Sequence, residues 1–170
     1  MNDCLNIILH RRSVRRYKER AIEQEKIEQL LKSALASPSS KHLNPWEFIV
    51  VDDKDILSQM ASCRTYGSQM LKGAALGIVV CVDPSQTDTW QCDGAIAAEH
   101  ILLCASDIGL GACWVQVYNR DGAESLVREL CHIPESLNVL CIISVGYPDE
   151  DKKPINPEHL QYDKIHYGQY

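Results

Sequence analysis

Apolar side chains recur along this chain with two periods. Between Glu23 and Ala36, the residues Ile27, Leu30, Leu31, Ala34 and Leu35 fall three and four apart, and Pro38 ends the pattern. That spacing places them on one face of an amphipathic helix. Trp46 to Val51 is a short run of aromatic and β-branched residues, followed by Asp52 and Asp53 ahead of Ile56, Leu57 and Met60. It predicts a strand and then a helix with an aspartate at its N-cap. Ala75 to Val82 reads as a buried strand stopped at Asp83-Pro84, and Asp93 to Ile108 as a long helix with small or apolar residues on several faces. A helix apolar all round must be covered on all sides. Its alanines Ala95, Ala97, Ala98 and Ala105 suit close helix packing. Ala112 to Tyr118 predicts a strand, Gly122 to Leu130 a helix, and Val139 to Val145 a further strand running into Gly146-Tyr147-Pro148. The interleaving gives an α+β fold, with helices on both sides of a small mixed sheet. After Pro148 the chain is polar, carries Pro154 and Pro157, and ends in Tyr162, His166, Tyr167 and Tyr170. Such a tail, residues 148–170, has no core of its own and is expected to wrap over the domain or a partner chain.

Length and composition narrow the class. The 170 residues correspond to one domain, 1–170, at about 100–200 residues per domain. Hydrophobic residues make up 45% and charged residues 24%, an ordinary globular mixture that excludes collagen, coiled coil and disorder. The formal net charge of −6 opposes nucleic acid and anionic membrane surfaces. The longest apolar stretch, Ala74 to Val82, is far short of the ~20 residues that cross a bilayer. Eight cysteines would signal a disulfide framework in a secreted chain, but Arg11, Arg12, Arg15 and Arg16 occupy the place of a signal peptide's apolar segment. No pair is spaced C-x-x-C, so neither a zinc ribbon nor a thioredoxin motif is present. Thiols inside apolar runs act as small hydrophobes, and a reduced, cytoplasmic protein is expected.

Three features carry candidate chemistry. His10 to Arg20 holds six basic side chains against Glu19 alone, concentrating positive charge in an acidic protein. Guanidinium forks match phosphate oxygens, and Ser13 adds a hydroxyl, so a phosphate monoester is the natural ligand; the plainer reading is a solvated basic turn. Pro38 to Trp46 brings Ser39, Ser40, His42 and Asn44 into one loop, suited to a polyhydroxylated ligand. Gly109-Leu110-Gly111 precedes Trp114 and fails as a dinucleotide fingerprint, because a helix precedes it and the third glycine is missing. It serves as a helix C-cap turn feeding a strand. No P-loop, nucleophile elbow or zinc-protease motif occurs, and the six histidines make no short-spaced ligand pair. Glu99-His100 inside the long helix is read as a satisfied core or interface pair. With no metal site and no internal acid–base constellation, hard chemistry must come from a bound cofactor.

Taken in order, Arg11-Arg12-Ser13-Val14-Arg15-Arg16-Tyr17, Pro38-Ser39-Ser40 through Pro45-Trp46-Glu47-Phe48, Gly109-Leu110-Gly111 with Trp114, Val145-Gly146-Tyr147-Pro148 and Ile165-His166-Tyr167 resemble the FMN-dependent nitroreductase family, in one of its short forms. The resemblance implies a three-layer α/β/α domain with a small, mainly antiparallel sheet. It also implies a C-terminal tail exchanged within a homodimer and FMN at the subunit interface. Arg11, Ser13 and Arg15 would take the phosphate and the pyrimidine edge, with Arg12 on the ribityl side. Pro38, Ser39, Ser40, His42 and Asn44 would come from the other subunit. Trp114, Val115, Gln116 and Val117 would lie along the isoalloxazine, with a backbone N–H of Gln116 or Val117 facing the reactive N5, and Gln69 would reach the pyrimidine edge. No side chain is then itself catalytic.

The chain departs from the family pattern at several points. His42 stands where Asn is usual and Asn44 where Gln is usual; Gln116-Val117 stands where Gly or Glu followed by Gly or Ala is usual, which narrows the room over the ring. Of Lys152, Lys153 and His159, Lys153 is assigned to the phosphate. The activity implied is hydride transfer from NAD(P)H, by a ping-pong cycle, to a small acceptor such as a nitroaromatic or quinone. A second class of function is a flavin-binding protein that stores, senses or delivers FMN, and a third is a phosphate-binding module without flavin.

Overall fold

The computed structural model describes residues 3–170. Its elements in chain order are α1 (Asp3–His10), α2 (Gln24–Leu35), β1 (Trp46–Val51), α3 (Lys54–Met60), β2 (Leu76–Val82), α4 (Trp90–Asp107), β3 (Gly111–Gln116), α5 (Ala123–Cys131) and β4 (Asn138–Gly146). Single 3-10 turns lie at Ser40–His42, Gln69–Gly73, Pro157–His159 and Tyr162–Lys164. Asp53 caps α3 by accepting from the amides of Asp55 and Ile56, as its place ahead of the apolar pattern requires.

The four strands form one sheet in the order β1-β2-β4-β3. Every pairing between them is antiparallel, and the parallel component is confined to an isolated bridge between Ser13 and Ala112. Side-chain alternation sorts the strands' residues into two cores. Leu76, Ile78, Val80, Val82, Ile143 and Val145 pack with Leu30, Ala97, Ile101 and Ala105 of α2 and α4. Val79, Cys81, Val115, Val139 and Ile142 pack with Leu57, Met60 and Val127 of α3 and α5. The sheet is therefore the middle of three layers.

One irregularity shapes the end of the sheet. The β2–β4 register slips so that Val80 faces Cys141 while Cys81 faces Val139, leaving Leu140 as an extra residue. Such a bulge breaks the alternation, and Leu140 and Cys141 both enter the α2–α4 core. Gly94 of α4 sits where a Cβ would meet Leu140 at 2.7 Å. The Leu140 carbonyl accepts from both Val117 N (3.2 Å) and Tyr118 N (3.0 Å), which ends β3 at Gln116, two residues before the apolar pattern runs out. The long helix starts at Trp90, three residues earlier than its apolar pattern predicts. No helix among the described residues is long and apolar enough to cross a membrane. None of the eight cysteines is in a disulfide: four are buried, two half-buried, and Cys4 and Cys92 exposed.

Candidate functional site

The basic segment is a strap drawn across the ends of β3 and β4. Val14 N donates to Ala112 O at 3.0 Å, Lys18 N to Tyr147 O at 2.8 Å, and Asp149 N to Arg16 O at 2.9 Å. Two glycines permit this approach. A Cβ at Gly111 would lie 2.6 Å from Val14 Cγ1, and one at Gly146 would lie 2.8 Å from the Tyr17 ring. The Tyr17 hydroxyl donates to Val14 O at 2.6 Å and lies 2.8 Å from Ser144 Oγ. Burial drives its pKa well above the ordinary phenol value, so it stays a neutral donor and pins the strap's middle.

With Val14 and Tyr17 facing inward, the arginines are left outward. Arg11 Nε lies 3.7 Å from Glu99 of α4, and Arg12 donates to the Lys153 carbonyl. Arg15 is exposed, and its main-chain N–H donates to Glu150 Oε1 at 2.6 Å. Glu150 also lies 3.1 Å from Lys152 Nζ and 3.9 Å from Arg16 Nε. The Arg15 N–H first, and then Lys152, hold its carboxyl below the usual carboxylate range. Lys152 is thus neutralised within the chain, while Lys153 has no carboxylate within 4.0 Å among the described residues.

The loop ahead of β1 is held from α4. Ser40 N donates to Asp93 Oδ1 at 2.9 Å. Asp93 is buried, and its second oxygen, Oδ2, has no hydrogen-bond partner. Ser39 Oγ accepts from Asn44 N at 3.0 Å and donates to Asn44 Oδ1 at 2.8 Å. Lys41, His42 and Asn44 all have positive φ, at 51°, 56° and 50°, a region that side-chain-bearing residues seldom adopt. Pro38, His42 and Asn44 are exposed, and Pro45 and Trp46 anchor the exit in the core. Asp93 and Glu99 are six residues apart on α4, roughly 9 Å along the axis and about 120° apart around it. One chain therefore holds the strap and the loop on different faces of that helix.

β3 is an edge strand. Ala112 turns its carbonyl outward to Val14, and with a period of two the main-chain groups of Trp114 and Gln116 face the same open edge. Val115 faces β4, and the Val117 N–H is taken by Leu140. Trp114 Nε1 donates to Gln116 Oε1 at 3.0 Å, and Gln116 Nε2 to Tyr118 O at 3.0 Å. Tyr118 meets Trp90, at the start of α4, edge to face at 4.7 Å. Val117 is fully buried in the α3–α5 core, so its bulk does not narrow the open edge. Gln69 spends its side chain on its own loop, donating to Arg64 O and Thr65 O and accepting from Gly67 N.

Asp93, Glu150 and Ser144 hold this arrangement without having been singled out in the sequence, and Tyr17 entered only as the end of the arginine motif. Each acts on a partner at least 53 residues away or through a main-chain group, which no local motif displays. Only Asp93 offered a signal, a single carboxylate near the start of an apolar helix, whereas Glu150 is flanked by Asp149 and Asp151 and nothing marks it out. Glu99 and His100 do not form a core pair: Glu99 is exposed and lies 3.7 Å from Arg11, while half-buried His100 meets Ser33 O through Nδ1 at 3.1 Å. Among the described residues no group of three or more His, Cys, Asp or Glu could hold a metal ion.

The sequence model of the nitroreductase family matches residues 8–64 and 59–147. A curated protein of Archaeoglobus fulgidus with "NAD(P)H nitroreductase" in its name is 40% identical over 174 residues, covering 96% of this chain and 99% of its own. The NADPH-flavin oxidoreductase of Vibrio harveyi is 28% identical over 190 residues, covering 100% of this chain and 75% of its own. Among solved structures, the FMN-dependent nitroreductase of Clostridium difficile superposes with a TM-score of 0.95 at 45% identity, covering 98% of this chain and 99% of that one. The strap, the loop and the glycine turn into β3 are thus parts of an inherited scaffold, and the chain belongs to the nitroreductase family.

Proposed function

We propose that this protein is an FMN-dependent NAD(P)H oxidoreductase acting as a homodimer with its flavin between subunits. The observation that carries the proposal is the arginine strap laid over Gly111 and Gly146 beside the open edge of β3. The donor set fits FMN. Arg11, Ser13 and Lys153 provide two positive charges and a hydroxyl at one end. A loop rich in hydroxyl, amide and imidazole groups suits the ribityl chain, and an apolar edge strand with free main-chain donors suits the ring.

When bound, FMN supplies two-electron chemistry, taking hydride from a reduced nicotinamide and giving it to a small acceptor such as a quinone or nitroaromatic; the protein's work is binding and electrostatics. Arg11, Ser13 and Lys153 hold the phosphate, and Arg12 is steered toward the ribityl side by its bond to the Lys153 carbonyl. Arg15, exposed at the strap's end, places fixed positive charge at the pyrimidine edge, where the reduced ring gathers negative charge. Trp114 and Gln116 offer main-chain donors on the open edge, and Gln116 is the one set to face N5, since Val117 has spent its N–H on Leu140. Gln69 reaches the ring only by releasing its loop bonds. Pro38, Ser39, Ser40, His42 and Asn44 contribute across the subunit interface, consistent with their separation from the strap in one chain. Donor and acceptor use the same open face in turn, which is a ping-pong cycle.

Two features support the dimer. Leu5 and Ile8 of α1 are 48% and 44% exposed, and between α1 and α4 lies a mainly apolar cleft of about 360 Å³ with Ile7, Ile8, Leu103 and Cys104 on its walls. The tail beyond Glu150 is exposed almost throughout, anchored by Ile155 N to Leu9 O at 2.8 Å and by Arg12 at Lys153. Its exchange with a partner would cover Ile165 and Tyr167. A storage role draws its motive from crowding at Gln116-Val117 and from the altered pair His42 and Asn44; the burial of Val117 removes its share of the crowding, and the altered pair leaves the choice to turnover.

The test is oxidation of NADH and NADPH by the FMN-loaded protein with a quinone acceptor. Rapid multiple turnover with parallel double-reciprocal plots is expected. Tight FMN retention without turnover overturns the enzyme reading in favour of storage.

A further inference from the structure

A second cleft lies outside the residues assigned to the flavin. It has a volume of about 510 Å³ and lies between the loop after α3 and the turn into α5, with Ser62, Arg64, Tyr66, Arg120, Asp121 and Gly122 on its walls. The loop side is preformed. Buried Ser68 donates to Ala61 O at 2.7 Å and lies 3.1 Å from Arg64 O, and Gly67 at φ 88° lets the chain curl under the Arg64 guanidinium. On the other side Gly122, at φ 71°, opens α5, whose first amides add positive partial charge to the cleft. Neither Arg64 nor Arg120 has a carboxylate within 4.0 Å among the described residues, although Asp121 shares the cleft. Two guanidiniums and a helix N-terminus against one carboxylate, in a protein of net charge −6, make a local anion site. Tyr66, 82% exposed, gives the same cleft an uncovered aromatic side chain.

We propose that this cleft binds the adenosine end of the nicotinamide donor and selects NADPH over NADH, Arg64 and Arg120 taking the 2′-phosphate and Tyr66 stacking the adenine. The proposal rests on the oxidoreductase reading and names its donor. Position supports it. The cleft's two walls lead directly to Gln69 and to Gln116, four residues before Arg120 and thus within roughly 14 Å of it along an extended chain. The cleft is therefore within a dinucleotide's reach of the open end of β3. Chemistry supports it too: a carboxylate suits a ribose hydroxyl, whereas arginine accommodates a 2′-phosphate, and two arginines outweigh Asp121. Aromatic faces accept adenine by stacking.

The FMN-loaded protein titrated calorimetrically with adenosine 2′,5′-bisphosphate and with adenosine 5′-phosphate tests this without turnover. The bisphosphate is expected to bind about tenfold or more tighter, because charge-assisted hydrogen bonds are made only to the 2′-phosphate. Arg64→Ala and Arg120→Ala are each expected to weaken it roughly tenfold, and to lower the NADPH-to-NADH ratio of kcat/KM in parallel. Arg120 is exposed, so its removal leaves the core untouched. Equal binding of the two adenosine phosphates, full bisphosphate affinity in both variants, or a wild-type preference for NADH overturns the proposal. Turnover without discrimination removes this site and keeps the oxidoreductase reading; discrimination without turnover does the reverse.

Discussion

At the scale of single residues, the site rests on close approaches and on charges whose partners lie far along the chain. Gly111→Ala would put a methyl group 2.6 Å from Val14 Cγ1, and overpacking of this kind costs about 1–3 kcal/mol. The expected result is a Tm lowered by about 2–4 °C per kcal/mol, with weaker FMN retention because the displaced strap carries the arginines. Thermal melts and FMN titration check both. Arg15→Ala is expected to lower the potential of the bound flavin, by about 30 mV for each ~1.4 kcal/mol of lost stabilisation. An unchanged potential with FMN fully bound would exclude that role. Glu150 gives the pH dependence. Its pKa is depressed in the folded protein, so its contribution to stability is complete above the unfolded value of about 4.3 and is lost as pH falls through the lower folded value. The Tm difference between wild type and Glu150→Gln should therefore be constant from about pH 6 to 8 and shrink below about pH 4. The arginines were visible in the sequence because they are clustered between positions 11 and 16; Glu150 was not, because its role is to meet a main-chain N–H 135 residues away.

At the scale of elements, periodicity found what periodicity can show. The strand Trp46–Val51 and the capped helix after it stand where the pattern put them, since each has one buried face and a boundary residue with its own chemistry. The first helix, α1, was not foreseen: Cys4, Leu5, Ile7, Ile8 and Leu9 are broken by Asn6 alone, and eight residues are too few to establish a helical period. The end of β3 was misjudged because the bulge at Leu140, a property of two other strands, redirects the chain. The same nonlocality hides the loop's anchor. Asp93→Ala removes the acceptor of Ser40 N–H but also relieves a buried carboxylate with one unpartnered oxygen. Losses and gains of similar size should nearly cancel in Tm, to within ~1 kcal/mol. The freed loop should still raise the Kd for FMN by roughly tenfold. A Kd unchanged from wild type would show that Asp93 does not position the loop.

At the scale of the whole molecule, one chain carries a strap and a loop on different faces of α4, an uncovered apolar cleft beside α1, and a tail with little to rest on. The motif set in order was enough to identify the family, but pairing across subunits leaves no periodic trace in a sequence. Removing residues 156–170 spares both tail anchors, at Lys153 and Ile155. If the tail is exchanged, light scattering of the truncated protein should show dissociation toward monomer with loss of bound FMN; a dimer that keeps its flavin would place the interface elsewhere. The most direct measurement comes before any variant: the visible absorption spectrum of the purified protein after incubation with excess FMN and desalting. A flavin spectrum retained at close to one FMN per chain is predicted, and a colourless protein after that treatment would contradict the assignment of the arginine strap to a flavin phosphate.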